Sequence, residues 1–268
     1  MNTGIIGYGS MGKMLLEKFS GNGLAPEKLY VFNRTESKLA GIGKKATICH
    51  NSKELAACCD IIFLCVLPSA IKDVLEDIRT EVKEDCLLVS LNGSVTFEQM
   101  GRIAKHKMAK AIPSVTAEIN KSQTLVCYND LANETDRSTL ERLLGWIGNV
   151  IELPEKEMGM GSELVSCMPG FIASVFDVIC KAAGKHTEIP YDQVVRMVLN
   201  TLCATGELML EKGMSFDEVV TRVATKGGIT EEGTRIIYEE FPETAAQLFE
   251  KTLAKRKMTA ERAEEYFR

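Results

Sequence analysis

The segment Gly7-Tyr8-Gly9-Ser10-Met11-Gly12 constrains this chain more than any other. It follows directly on Thr3–Ile6, which reads as a buried strand, and it opens residues 10–19, where apolar side chains recur at helical spacing. A GxGxxG run between a strand and a helix predicts a dinucleotide-binding turn. Gly7 permits the tight turn, Gly9 lets the backbone approach a pyrophosphate, and Gly12 allows the helix to pack closely. The free N–H groups at the helix start then face the anion. Tyr8, Ser10 and Met11 complete the loop as candidate cofactor contacts; the alternative is a tight strand-to-helix turn without a ligand.

The alternation continues through the first half. Residues 29–32, 61–66 and 87–91 read as buried strands, with 45–49 and 110–112 weaker, and helical spacing fills 35–39, 52–57 and 69–78. Such βαβ repetition predicts a Rossmann-type, doubly wound, mainly parallel sheet. Residues 125–128 and 150–153 flank a helix pattern over 136–148 and extend that sheet. Beyond Leu153 no period-2 run remains, and residues 162–183, 190–212, 242–257 and 259–268 read as helices, with Ser215-Phe216-Asp217-Glu218 as a capping box opening another. Pro169 is expected to kink the first of these near residue 168. The expected organisation is a dinucleotide-binding domain over 1–153 and an all-α second domain over 154–268.

The end of the second strand selects the cofactor, because a carboxylate there favours NAD and repels a 2′-phosphate. Here the position reads Asn33-Arg34-Thr35, an amide, a guanidinium and a hydroxyl in succession, which favours NADP(H) over NAD(H). A solvated turn is the alternative. Ser37 and Lys38 are secondary candidates, and the loops Val66-Leu67-Pro68 and Asn92-Gly93-Ser94 fall on the carboxyl edge of the sheet, where either cofactor contact or plain turn chemistry fits.

Composition excludes other classes. A net charge of −5 argues against a nucleic-acid surface. The longest unbroken apolar run, residues 61–67, falls well short of the roughly 20 residues of a membrane-spanning helix, so no membrane segment is expected. The N-terminus shows no signal-peptide pattern, and a cytoplasmic protein is expected. Nine cysteines without a CxxC pair fit neither a disulfide framework nor a zinc site, so no metal is expected.

In the second half, Gly227-Gly228-Ile229-Thr230 reads as an anion site in which two glycines turn their N–H groups to a carboxylate and Thr230 caps a helix. An ordinary capped Gly-Gly loop is the alternative. With these residues in place, the chain resembles the pyrroline-5-carboxylate reductase family over nearly its whole length. The resemblance rests on the glycine loop with Asn33-Arg34, on Ala111-Ile112-Pro113-Ser114-Val115-Thr116-Ala117, on Val165-Ser166-Cys167-Met168-Pro169-Gly170-Phe171, and on Ala224-Thr225-Lys226-Gly227-Gly228-Ile229-Thr230. It implies NADPH-dependent reduction of a cyclic imine, 1-pyrroline-5-carboxylate, in proline biosynthesis. Thr225, Gly227, Gly228 and Thr230 would hold the substrate carboxylate, with Thr230 also the candidate near the imine nitrogen. It implies a homodimer through the helical half, in some members a higher oligomer, in keeping with the apolar stripes Val194-Val195-Met197-Val198-Leu199 and Leu202-Leu208-Met209-Leu210.

Several positions depart from the family pattern: Ser114-Val115-Thr116 replaces Asn-Thr-Pro, Ser166 and Met168 replace glycines, Leu67 replaces a lysine and Lys226 a proline. In this the chain resembles the late-competence ComER-type branch, and a nucleotide-binding regulator, or an enzyme for another imine, is the alternative function. A β-hydroxyacid dehydrogenase would need a lysine within residues 159–178, which hold none. An F420-dependent NADP reductase shares the first half only and normally lacks the long helical half.

Overall fold

The computed structural model describes all residues, Met1–Arg268. Eight strands form one sheet in the order β3-β2-β1-β4-β5-β6-β7-β8. They are β1 (Thr3–Ile6), β2 (Leu29–Phe32), β3 (Thr47–Ile48), β4 (Ile61–Leu64), β5 (Leu87–Ser90), β6 (Met108–Ile112), β7 (Ser122–Tyr128) and β8 (Gly148–Glu152). All neighbours pair in parallel except β6 with β7. The helices between them are α1 (Ser10–Gly21), α2 (Ser52–Cys58), α3 (Pro68–Ile78), α4 (Phe97–Ile103) and α5 (Glu134–Leu144).

Strand periodicity explains the double winding. Ile5 and Phe63 point to one face, where they pack with Leu15, Leu16 and Phe19 of α1 and Leu140 and Leu143 of α5. Ile6, Ile62 and Leu64 point to the other and meet Leu55, Ile71, Leu75 and Ile78 of α2 and α3. Strands buried on both faces read as unbroken apolar runs, the pattern of residues 61–64.

The strand and helix expectations of the first half stand with small shifts at the ends. Three strands start earlier than expected, β6 at Met108, β7 at Ser122 and β8 at Gly148. The helix expected over 136–148 starts earlier, at Glu134, because Asn133 and Asp136 form a reciprocal capping box, and it ends earlier, at Leu144, with Gly148 already in β8.

The helical half differs more. The helix expected from residue 162 comprises α6 (Met158–Ser162), a π-helical turn Glu163–Cys167 and α7 (Met168–Ala183). Pro169 therefore sits in the first turn of α7, directly after the wider turn, and has no N–H to donate. Then come α8 (Tyr191–Lys212), ended by left-handed Gly213, and α9 (Phe216–Val223), opened by the expected Ser215–Glu218 box. The two final helices are in fact one, α10 (Ile229–Tyr266), which continues through Pro242. Thr259 does not start a helix either, since its hydroxyl donates back to the Lys255 carbonyl.

By compactness the chain divides into Met1–Pro169 with Leu253–Arg268, and Gly170–Thr252. The end of α10 belongs by compactness with the sheet, where Ala263 and Phe267 join its apolar layer and Arg102 pairs with Glu264 at 3.1 Å. The second unit has almost no core of its own. Only Cys180 and Val194 are buried apolar side chains within it, while Val178, Met197 and Leu210 stand exposed. The helical stretch Glu155–His186 is also long and apolar enough, by length and composition, to cross a membrane. A count of unbroken apolar runs passes over this stretch because Glu163, Asp177 and small residues interrupt it.

Candidate functional site

The turn after β1 lies where the strand order reverses, between β1 and β4, at the carboxyl edge. Each glycine there has a distinct physical reason. Gly7 has φ +99°, and a Cβ on it would lie 2.5 Å from the Cys65 carbonyl oxygen. A Cβ on Gly12 would lie 2.0 Å from the Gly7 carbonyl oxygen, so this residue sets the approach of α1 to the strand. Gly9 is different, because a Cβ there meets nothing within 4 Å. Open space thus faces the start of α1, which has no side-chain cap and no acidic residue in its first turn. A helix start with uncommitted N–H groups beside open space is able to take an anion.

A cleft of about 700 Å³ extends from this turn. Gly7, Tyr8, Gly9, Asn33, Arg34, Thr35, Val66 and Leu67 line it, as does Lys38. Ser10, Met11, Gly12, Pro68 and Asn92 do not. Ser10, Met11 and Gly12 belong to the first turn of α1, and Pro68 is the first residue of α3. Asn92 closes its own loop, its side-chain oxygen accepting from Ser94 N–H at 2.8 Å and Val95 N–H at 3.2 Å.

Asn33 plays a structural part within the expected phosphate cluster. Its side-chain oxygen accepts from Tyr8 N–H and its amide nitrogen donates to the Thr35 carbonyl, both at 2.9 Å, so it locks the glycine loop to the end of β2. Arg34 is exposed and makes no hydrogen bond or ion pair, which leaves its fork available to a ligand. Cys65, in the cleft wall, is held as a thiol because burial pushes its pKa well above the ordinary value. Sequence reasoning missed Asn51, Ser52, Asp73 and Asp77 as cleft residues. They come from α2 with its capping Asn51 and from α3.

The second candidate cluster belongs to the other unit. Thr225, Lys226 and Thr230 are exposed, and Gly227 has φ +73°, as a tight turn requires. A Cβ on Gly228 would lie 2.5 Å from the Thr225 hydroxyl oxygen. The two glycine amides, however, are already committed: Gly227 N–H donates to the Glu231 carboxylate at 2.6 Å and Gly228 N–H to the Thr225 carbonyl at 2.8 Å. Thr230 is not the cap, since α10 begins at Ile229 and places it in the first turn. The groups left for an anion are the first-turn N–H groups of α10 and the hydroxyls of Thr225 and Thr230. The departing residues Ser114 and Thr116 satisfy one another and their own turn, Thr116 N–H meeting the Ser114 oxygen and the Thr116 hydroxyl donating to the Lys121 carbonyl.

A doubly wound sheet with a glycine turn at its switch point, followed by a helical half, defines a Rossmann-type protein with a distinct helical region. A family model described as NADP oxidoreductase coenzyme F420-dependent matches residues 2–93, and one described as pyrroline-5-carboxylate reductase dimerisation matches residues 155–259. The chain is similar to the pyrroline-5-carboxylate reductases over nearly its whole length. It is 28% identical over 262 residues to pyrroline-5-carboxylate reductase 3 of Bacillus subtilis, covering 96% of both chains. It is 25% identical to ComE operon protein 4 of the same organism, over 94% of each. The fold matches a Plasmodium falciparum pyrroline carboxylate reductase solved with NADP bound, with a TM-score of 0.84, 18% identity, and 100% and 98% of the two chains covered.

Proposed function

We propose that this protein reduces a cyclic imine carboxylate, 1-pyrroline-5-carboxylate, to proline with NADPH. The observation that carries the reading is the cleft: open space at Gly9 before an uncapped helix start, and an unpaired Arg34 fork at the end of β2. That donor set fits a pyrophosphate and a 2′-phosphate. The family relatives supply the substrate class.

When bound, the reduced nicotinamide supplies hydride to the imine carbon. The chain's part is to bind and orient. The first-turn N–H groups of α1 hold the pyrophosphate, Arg34 holds the 2′-phosphate with Thr35 and Lys38 beside it, and Asn33 keeps the loop in register. Thr225, Thr230 and the first-turn N–H groups of α10 hold the substrate carboxylate, Thr230 as an orienter rather than an acid, because a threonine hydroxyl is a poor proton donor near neutral pH. The rate enhancement comes from positioning two reacting carbons, which needs no nucleophile.

Residues 1–153 are assigned to the cofactor and 154–268 to substrate binding and homodimer formation, the sparse core of the second unit being completed by a second copy. The same partner covers the apolar stretch 155–186, in a cytoplasmic enzyme. A second reading, a dinucleotide-binding protein without imine turnover, is favoured by the Glu231 carboxylate already seated on Gly227 N–H. Loss of NADPH absorbance on adding pyrroline-5-carboxylate decides between them. Turnover supports the reductase; tight NADPH binding with no turnover supports the second reading.

A further inference from the structure

One buried ionic group is not used by the cofactor cleft. Glu163, 2% exposed, opens the π-helical turn, and one of its oxygens accepts twice from Arg256, from Nε at 3.0 Å and from an Nη at 2.7 Å. Its other oxygen is buried without any partner. A half-satisfied buried carboxylate costs stability, and packing alone would favour an apolar side chain here. π turns within helices also recur at functional sites.

The surroundings indicate what the pair does. Arg256 lies against Gly159 and Gly93: its side-chain Cδ would be 3.3 Å from a Cβ on Gly159, and its remaining nitrogen, Nη1, would be 3.9 Å from a Cβ on Gly93. Nη1 has no hydrogen-bond partner, whereas the other two nitrogens are taken by Glu163, one of them also lying 3.9 Å from the Cys167 sulfur. Gly93 is exposed and belongs to the loop after β5 at the carboxyl edge of the sheet. The turn itself is tied to the end of β6, where Ser166 donates to the Pro113 carbonyl at 3.1 Å. A dinucleotide bound at the switch point has its adenosine half over β1 and β2 and its second nucleotide over β4 and β5. The free edge of Arg256 therefore stands beside the hydride-transferring end.

We propose that Arg256, clamped by Glu163, donates from its free guanidinium edge to an oxygen acceptor at that end. The acceptor is either the carboxamide of the reduced nicotinamide or the carboxylate of the imine. Glu163 is the positioning residue, and the fork is what makes the arrangement work, because one edge is spent on the clamp while another faces the ligand. The proposal rests on the cofactor and substrate reading above.

The test uses the full-length protein, with binding measured separately from turnover. Arg256→Met is expected to weaken NADPH about tenfold or more while leaving 2′-phospho-ADP-ribose, which lacks the nicotinamide ring, unchanged; that assigns the acceptor to the cofactor. If NADPH binding is unchanged and L-proline binds the NADP-loaded protein about tenfold more weakly, the acceptor is the carboxylate. Arg256→Lys is expected to fail to restore either, and Glu163→Gln to show the same loss in smaller measure at unchanged melting temperature. Unchanged binding of NADPH and L-proline in Arg256→Met overturns the proposal. Should that variant not fold, Glu163→Gln decides alone: a loss of either ligand supports the clamp, and no loss overturns it. Because these arms need no turnover, they remain readable if imine reduction itself fails.

Discussion

Two glycine-to-alanine changes three residues apart should have opposite signatures. Gly9 has φ −83° and ψ −164°, which alanine tolerates, and its added Cβ meets nothing within 4 Å. The entropic gain of Gly→Ala, about 0.4–1 kcal/mol, is offset by the poorer helix cap, so stability stays within about 0.5 kcal/mol. The Cβ nevertheless fills the space through which a pyrophosphate reaches α1. Losing one charge-assisted hydrogen bond there costs about 1.5–3 kcal/mol, or roughly 10- to 150-fold in NADPH affinity. Gly12→Ala instead drives a Cβ to 2.0 Å from the Gly7 carbonyl oxygen. Relief requires backbone movement costing about 1–3 kcal/mol, which at roughly 2–4 °C per kcal/mol for a chain of this size lowers Tm by about 2–12 °C. Thermal melts and NADPH titration by fluorescence separate the two. The reasoning fails if Gly9→Ala binds NADPH like the parent, or if it melts as early as Gly12→Ala.

Arg34→Asp should shift preference toward NADH by at least about tenfold, combining a lost charge-assisted bond with repulsion of the 2′-phosphate; an unchanged NADPH/NADH affinity ratio removes Arg34 from that site. Thr230→Ala should raise the imine KM by several-fold with NADPH Kd unchanged, and an equal effect on both contradicts the carboxylate assignment. Burial raises the Asp60 pKa, but Lys83 at 2.8 Å and Asn2 N–H at 2.7 Å outweigh it and hold the carboxyl below its ordinary value. A depressed carboxyl stabilises the fold above the unfolded value, about 4, and loses that contribution as pH falls through the folded value. Asp60→Asn should therefore lower Tm at neutral pH and converge with the parent in acid; an equal Tm difference at both ends contradicts the linkage.

The Rossmann half was legible because local rules and tertiary packing agree there. Strand 3–6 is buried on both faces, and strand 29–32 buries Leu29 and Val31 on one face and packs the partly buried Tyr30 and Phe32 on the other, so hydrophobic pattern alone marks them. Helix α4 escaped notice although Thr96 and Gln99 form a reciprocal capping box, a signal available in the sequence. Pro242 misled because a single proline ends an isolated helix, whereas α10 is long enough to carry the defect between two intact segments. In the second unit, helices such as α8 expose apolar residues that a monomer does not cover, so burial there gives no check on the stripes.

The candidate site divides the same way. Gly7, Gly9 and Arg34 announce themselves through one motif and one strand end, both local in sequence. The clamp between Glu163 and Arg256 joins residues far apart in the chain, and neither belongs to a recognisable motif, so only the packed structure brings them together. Glu231 was invisible for a related reason: it reads as an ordinary first-turn acid, and only the observed turn at Gly227 shows its carboxylate on the amide assigned to a ligand.

The central claim is hydride transfer from a dinucleotide in this cleft to an imine carbon. It is tested most directly with NADPH carrying deuterium at the transferring position of the nicotinamide, mixed with pyrroline-5-carboxylate and followed by mass analysis of the product. The account predicts proline bearing one deuterium on the former imine carbon. NADPH binding in the cleft with no deuterium in the amine would contradict it.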